Sequence, residues 1–169
     1  PQDYAMTQNN LGTAHLTLAG VREKEANLQL AIAAFEEALR VRTFGAFPQD
    51  YSGTQNNLGN AYRDLAEVRD KEANLNRAIA GFREALRVFT YEALPEDYAR
   101  TQCNLGRTSF ELAKVRLETE AKEEGKDLLR AARQSYSEAL RVYTKEFRPE
   151  QHETYSKLLA QLDDLLSKT

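Results

Sequence analysis

The chain repeats itself with a fixed period. Residues 1–12 read PQDYAMTQNNLG, residues 48–59 read PQDYSGTQNNLG, and residues 95–106 read PEDYARTQCNLG, so successive copies begin 47 residues apart. Periods of this size are typical of solenoids, in which one repeat cannot bury its apolar face alone and buries it against its neighbours. The repeats therefore predict a stacked array, an architecture that usually offers binding surfaces.

Each repeat divides into two predicted helices. A proline opens every repeat, and a further one at Pro149 opens a fourth; proline is tolerated in the first turn of a helix and stops the helix before it. The first helix (helix A) is predicted over about 3–19, 50–66 and 97–118. The second (helix B) has apolar residues spaced i, i+3, i+4, i+7, the pattern of one buried stripe. In the first two repeats these residues are Leu28, Ala31, Ile32, Phe35, Ala38 and Leu39, and Leu75, Ala78, Ile79, Phe82, Ala85, Leu86 and Phe89.

Two asparagines stand directly before these stripes. Asn27 and Asn74 hold this place in the first and second repeats. An Asn side-chain oxygen can accept a hydrogen bond from a free N–H at a helix start. Both residues are therefore predicted to be N-caps of helix B.

The third repeat is longer than the others. It has 54 residues, seven more than its predecessors, and the spacing from Gly106 to Ala132 places the extra residues around 118–127, at the tip of the helical hairpin. Seven residues make about two helical turns. We expect one extra turn in each helix; a longer polar loop at the tip is the alternative.

The chain after Pro149 holds one more predicted helix with an apolar stripe of leucines. Terminal helices of solenoids often act as caps, and a truncated repeat is the other interpretation. The predicted organisation is one array over residues 1–169, with repeats 1–47, 48–94 and 95–148 and a terminal helix at 149–169.

Composition restricts the function classes. The net charge is −3 and the pI about 5.6, whereas nucleic-acid binders usually have a high pI or a basic stripe. No apolar run approaches the roughly 20 residues that a transmembrane helix needs, and no secretory leader is visible. The single Cys103 excludes an internal disulfide and fits a reducing compartment. We expect a cytoplasmic protein that binds neither nucleic acid nor membrane.

No catalytic pattern is apparent. His15 and His152 lie near opposite ends of the chain, without a partner at metal-ligand or triad spacing, and Cys103 has no neighbouring histidine. Phosphate-loop and zinc-site spacings are also absent from the sequence. We therefore expect no enzyme activity, no cofactor and no metal site.

The repeats resemble the tetratricopeptide repeat (TPR) family. That family has a Leu-Gly pair in helix A and an Ala, a large aromatic residue and a second Ala in helix B. Every repeat matches, so the resemblance covers nearly the whole chain and implies an all-α, right-handed superhelical solenoid of antiparallel helix pairs. The matching residues are Leu11-Gly12, Leu58-Gly59 and Leu105-Gly106, and Ala31/Phe35/Ala38, Ala78/Phe82/Ala85 and Ala132/Tyr136/Ala139.

The repeat length departs from the usual TPR unit of about 34 residues. Repeats of 47 residues are closer to the extended repeats of kinesin light chains. The TQNNLG motif is similar to motifs of repeat arrays in large bacterial and cyanobacterial proteins. Those arrays are often joined to a caspase-like CHAT protease or a signalling domain.

In TPR arrays the helix A faces line a concave groove, and the resemblance implies a peptide-binding site there. An asparagine amide donates and accepts at once, so asparagines repeated along a groove can hold a peptide backbone. Arginines can pair with a carboxylate and an aromatic ring can pack an apolar side chain. The alternative is that the asparagines bond neighbouring helices or a loop. The candidate groove residues are Asn9, Thr13, Asn56, Asn57, Asn60, Arg63, Asp64, Arg100, Arg107 and Phe110.

The sequence thus predicts a protein–protein interaction scaffold that binds a peptide or protein segment, as part of a larger protein. One alternative is a structural unit that self-associates through its open solenoid ends. Another is the regulatory arm of a linked enzyme such as a CHAT-type protease.

Overall fold

The protein is all-α. The computed structural model describes residues 1–168, and over that range it contains seven α-helices and no β-strand. This confirms the predicted fold class. The helices are α1 (Gln2–Ala19), α2 (Lys24–Leu39), α3 (Pro48–Leu65), α4 (Lys71–Ala85), α5 (Pro95–Leu117), α6 (Lys122–Leu140) and α7 (Pro149–Lys168).

The chain forms two compact units. The first, Pro1–Val88, holds α1 to α4, and the second, from Phe89 onward, holds α5 to α7. Within each unit every helix packs on its neighbour in sequence, and α1/α2, α3/α4 and α5/α6 are antiparallel pairs. This arrangement is consistent with a helical repeat.

The recurring prolines mark the helix starts. Pro48, Pro95 and Pro149 are the first residues of α3, α5 and α7, and Pro1 directly precedes α1. The first turn of a helix has N–H groups without an intrahelical partner, so the missing donor of proline costs nothing there. The predicted helix A boundaries therefore agree with the structure to within two residues.

The extra residues of the third repeat lengthen both helices. α5 has 23 residues where α3 has 18, and α6 has 19 where α4 has 15. The prediction of about one extra turn in each helix is confirmed. Because a whole turn returns the chain to the same face, the buried stripes keep their phase.

In each helical pair, a glycine of helix A packs directly against an aromatic ring of helix B. A Cβ on Gly12 would lie 2.6 Å from the Phe35 ring, and one on Gly106 would lie 3.0 Å from the Tyr136 ring. Both rings are almost fully buried. The Leu-Gly motif of helix A therefore makes room for the aromatic residue of helix B, which fills the space between the helices.

The prediction that Asn27 and Asn74 are N-caps was wrong. Both lie within helices that begin three residues earlier. Their Nδ2 atoms donate backwards to the carbonyls of Arg22 at 3.0 Å and Arg69 at 2.9 Å. Both side chains are buried, so these bonds hold the turn that precedes helix B against the helix itself.

The same turn has a left-handed residue at its end. Glu23 and Asp70, the residues just before α2 and α4, have φ values of 47° and 45°. L-residues adopt this region at a cost of about 1 to 2 kcal/mol. The third repeat has a different turn, since Ala121, the residue before α6, has a φ of −82°.

A tyrosine, a glutamate and an arginine link the two helices of each repeat. In the third repeat the hydroxyl of Tyr98 donates to Glu138 at 2.7 Å, and Arg141 donates to the same carboxylate. These two donors lower the pKa of Glu138. The same bonds join Tyr4, Glu37 and Arg40, and Tyr51, Glu84 and Arg87.

Candidate functional site

The candidate residues of the first unit bond to one another across α1 and α3. Oδ1 of Asn9 accepts from Nδ2 of Asn57 at 3.4 Å and lies 3.2 Å from the hydroxyl of Thr54. That hydroxyl also lies 2.8 Å from the carbonyl of Asp50, so its one proton is shared between two acceptors. The alternative interpretation, in which asparagines bond neighbouring helices, describes Asn9 and Asn57 in this structure.

A buried arginine completes this network. Arg42, in the segment between α2 and α3, is 8% exposed, and its Nη1 donates to the Thr54 hydroxyl at 3.0 Å. Its Nη2 lies 3.8 Å from the carboxylate of Asp50, whereas its Nε has no hydrogen-bond partner among the described residues. Arg42 was not among the residues predicted from the sequence. A signal was available, because the large aromatic residues Phe89 and Tyr143 occupy the same position in the other repeats and indicate that it is buried.

The remaining candidates of the first unit are also engaged. The guanidinium of Arg63 donates to Asp64 at 2.9 and 3.2 Å and to Oδ1 of Asn60 at 3.0 Å. The hydroxyl of Thr13 donates to the carbonyl of Asn9 at 3.0 Å. Asn56 is buried, with 3% of its surface exposed. In this unit the candidate polar groups are used mainly to stabilise α1 and α3.

The second unit places its candidates differently. Arg100 is 59% exposed and pairs with Asp97 on its own helix. Arg107 donates through Nε to Glu111 at 3.1 Å. The ring of Phe110 is half-buried, and Nζ of Lys114 lies 4.9 Å from its centre, a cation–π contact.

A cavity of about 450 Å³ opens between α5 and α7. Two of the predicted groove residues, Arg107 and Phe110, line it, and Arg100 does not. Its volume lies within the range of natural ligand pockets, about 300 to 1,000 Å³. The other lining residues are Cys103, Asn104, Glu111, Lys114, Tyr136, Thr154, Tyr155 and Leu158.

The floor of this cavity is aromatic and uncharged. The rings of Tyr136 and Tyr155 stack with their centres 5.6 Å apart, and the ring of Tyr143 also stacks with that of Tyr155, at 5.9 Å. Burial raises the pKa of Cys103 to about 12, so its thiol is neutral at physiological pH. The charged groups, Arg107, Lys114 and Glu111, lie towards the rim and sum to one positive charge.

The α7 side of the cavity was not predicted. Tyr155, Leu158 and Thr154 belong to a helix that the sequence assigned only to a terminal position. One signal was available. Tyr155 occupies the repeat position of Thr54 and Thr101, so an aromatic ring replaces a small hydroxyl there.

A second cavity, of about 340 Å³, lies between α2 and α4. Several of its polar lining residues are already engaged: Tyr62 donates to Glu36 at 2.9 Å, and Arg69 bonds Asp70 of the lining and Glu25 outside it, both at 3.0 Å. None of the predicted groove residues lines it. The α5–α7 cavity is therefore the better candidate site.

Comparisons with known proteins found no family model that matches this chain and no curated protein that matches it. Within residues 1–168, no three His, Cys, Asp or Glu side chains are grouped so that they could hold a metal ion. None of the seven described helices has the length and apolar character that crossing a bilayer requires.

Proposed function

We propose that this chain is an interaction module of the tetratricopeptide type, and that it binds a peptide segment of another protein. The proposal combines the TPR-like motifs with the helical pairs that they form. The observation that carries it is the cavity between α5 and α7, which contains Arg107 and Phe110 of the predicted groove.

The lining of the cavity suits a specific kind of peptide. Stacked tyrosines, Phe110 and Leu158 offer an apolar surface for one large side chain. Within residues 1–168, Lys114 makes no ion pair and lies over the ring of Phe110, whereas Arg107 pairs with Glu111. A ligand with an apolar anchor next to a carboxylate would therefore gain both apolar burial and a charge-assisted contact.

The test is a peptide-display selection on the wild type and on a variant whose cavity is blocked. Thr154→Trp places a large ring at an exposed position of the cavity lining, and Gln151→Trp adds the same ring elsewhere on α7, outside the lining. We expect the wild type and Gln151→Trp to enrich the same peptides, and Thr154→Trp to lose them. Circular dichroism checks that all three are folded.

A charge reversal tests the chemistry of the ligand. Lys114→Glu should lower affinity for the acidic peptides by about tenfold or more and leave their neutral, amide-substituted versions unaffected, because one close charge pair contributes on the order of 1 kcal/mol. Enrichment of the same peptides by the wild type and Thr154→Trp would disprove the site.

A further inference from the structure

The hydroxyl group of Tyr136 has no hydrogen-bond partner among the described residues. The residue is only 3% exposed, and it lines the cavity between α5 and α7. Tyr155, the other ring of the cavity floor, differs, because its hydroxyl bonds the thiol of Cys103. Buried polar groups of proteins are normally paired. An unpaired hydroxyl on the wall of a cavity therefore indicates where an atom of a ligand would bond.

Packing between the helices does not require this hydroxyl. Tyr136 holds the repeat position of Phe35 and Phe82, which are fully buried and fill the same space against the glycine of helix A. Phenylalanine thus serves the core at this position in the first two repeats. The oxygen of Tyr136 is an addition in the third repeat, where the α5–α7 cavity lies.

The surroundings of the hydroxyl favour an uncharged ligand group. Burial raises the pKa of Tyr136, so the phenol keeps its proton and can donate it to an acceptor oxygen. Arg107 and Glu111 act on this hydroxyl with opposite signs and pair with each other at 3.1 Å. A carboxylate at this depth would face Glu111 and lose its hydration over an uncharged aromatic floor, which is unfavourable.

The shape and chemistry of the floor favour a phenol ring. The stacked rings of Tyr136 and Tyr155 offer a flat aromatic surface. A ring without a polar tip would displace water from the Tyr136 hydroxyl and leave that group unpaired, which lowers affinity. A phenol avoids this loss. Its oxygen can accept from Tyr136, and its own proton can go to the carboxylate of Glu111 in the same lining.

We propose that the α5–α7 cavity is a binding site for a phenol ring, which in a peptide is the side chain of tyrosine. Tyr136 selects this ring over that of phenylalanine by donating a hydrogen bond to the phenolic oxygen. As a statement about peptides, the inference rests on the proposed function and names its apolar anchor. The carboxylate next to the anchor stays at the rim, near Lys114.

The experiment titrates the full chain with p-cresol and toluene, the side-chain analogues of tyrosine and phenylalanine, and follows amide chemical shifts by NMR. The measured quantity is the ratio of the two affinities in each protein, so the different hydration of the two probes cancels between proteins. We expect this preference for p-cresol to fall by about tenfold from the wild type to Tyr136→Phe. Toluene should bind Tyr136→Phe at least as well as the wild type.

A matched control is available in the neighbouring ring. Tyr143→Phe also removes a buried hydroxyl, from a ring that stacks with Tyr155 but does not line the cavity. It reproduces Phe89 of the second repeat, as Tyr136→Phe reproduces Phe82, so both variants should fold. Circular dichroism checks this. The preference for p-cresol should be unchanged in Tyr143→Phe.

The location of the probes is checked with Thr154→Trp, which should abolish the binding of both. An equal preference in the wild type and Tyr136→Phe would overturn the inference. So would an equal loss in Tyr136→Phe and Tyr143→Phe, or a wild type that binds neither probe.

The peptide selection reports separately on the proposed function. Enriched peptides that depend on the cavity but lack a tyrosine anchor would support the proposed function and overturn the inference. A selection that enriches nothing, together with a p-cresol preference that Tyr136→Phe removes, would support the phenol site and count against peptide binding.

Discussion

The ring of Phe82 lies so close to Gly59 that a Cβ on the glycine would stand 2.7 Å from it. Gly59→Ala should therefore destabilise the protein, by about 1 to 3 kcal/mol, because either the ring or the helix must move. Gly53 is the matched control: it lies in the same helix, and no atom is within 4 Å of its added Cβ. Gly53→Ala should stabilise by about 0.5 to 1 kcal/mol. Urea unfolding measures both, and equal effects would contradict the packing argument.

The turn before α4 depends on Asn74. Its side chain is 2% exposed and donates to the carbonyl of Arg69. Asn74→Ala removes a buried donor and should lower the free energy of unfolding by about 1 to 3 kcal/mol. Asn76 also donates to a carbonyl, that of Glu72, but at the surface. Asn76→Ala should change stability by less than about 0.5 kcal/mol in the same urea titration.

The left-handed backbone at Glu23 offers a stabilising substitution. Its φ of 47° disfavours an L side chain, and glycine adopts this region without strain. Glu23→Gly should raise the thermal midpoint, corresponding to roughly 0.5 to 1 kcal/mol, because the relief of strain exceeds the added entropy of the unfolded chain. Glu92, an exposed loop residue without positive φ, is the control. Glu92→Gly should lower the thermal midpoint. A rise in this control as well would show that relief of left-handed strain is not the cause of the stabilisation in Glu23→Gly.

The thiol of Cys103 should react slowly in the folded protein. Burial raises its pKa to about 12, and its side chain is 6% exposed. Relative to an ordinary cysteine pKa of about 8.5, the thiolate fraction at pH 8 falls on the order of a thousandfold. Labelling with a disulfide reagent should therefore follow unfolding in urea. Rapid labelling of the native protein would show that the thiol is accessible from the cavity.

Stability at alkaline pH should depend on Tyr62. Burial, aided by its hydrogen bond to Glu36, raises the pKa of Tyr62 to about 12, above the value of about 10 in the unfolded chain. The folded state therefore holds this proton more tightly. The resulting stability is complete below pH 10 and is lost as the pH rises towards 12. Tyr62→Phe should show a shallower loss of urea midpoint over this interval than the wild type. If the urea midpoints of the two proteins fell in parallel as the pH rises, the raised pKa of Tyr62 would be contradicted.

The local architecture could be predicted from the sequence alone. The prolines at 48, 95 and 149, the helix B stripes and the seven extra residues determine where helices begin, which face is buried and how long the third hairpin is. These signals act within a few residues along the chain, through missing N–H groups and the 3.6-residue period. The N-cap prediction failed because Asn27 has the right residue type but lies one turn inside the helix. There its Nδ2 donates back to the carbonyl of Arg22, and its Oδ1 bonds the ring of His15 instead of a free N–H at the helix start.

The state of the candidate site was decided by tertiary structure. Whether the amide of Asn57 is free for a peptide depends on Asn9, 48 residues earlier, and the two side chains bond to each other. The cavity between α5 and α7 exists where the stacked rings of Tyr136 and Tyr155 form its floor, although the same TPR-like pattern produced a polar network in the first unit. A repeated sequence determines the helices, but the side chains that meet across them differ between repeats, and only their packing decides which surface is left for a partner.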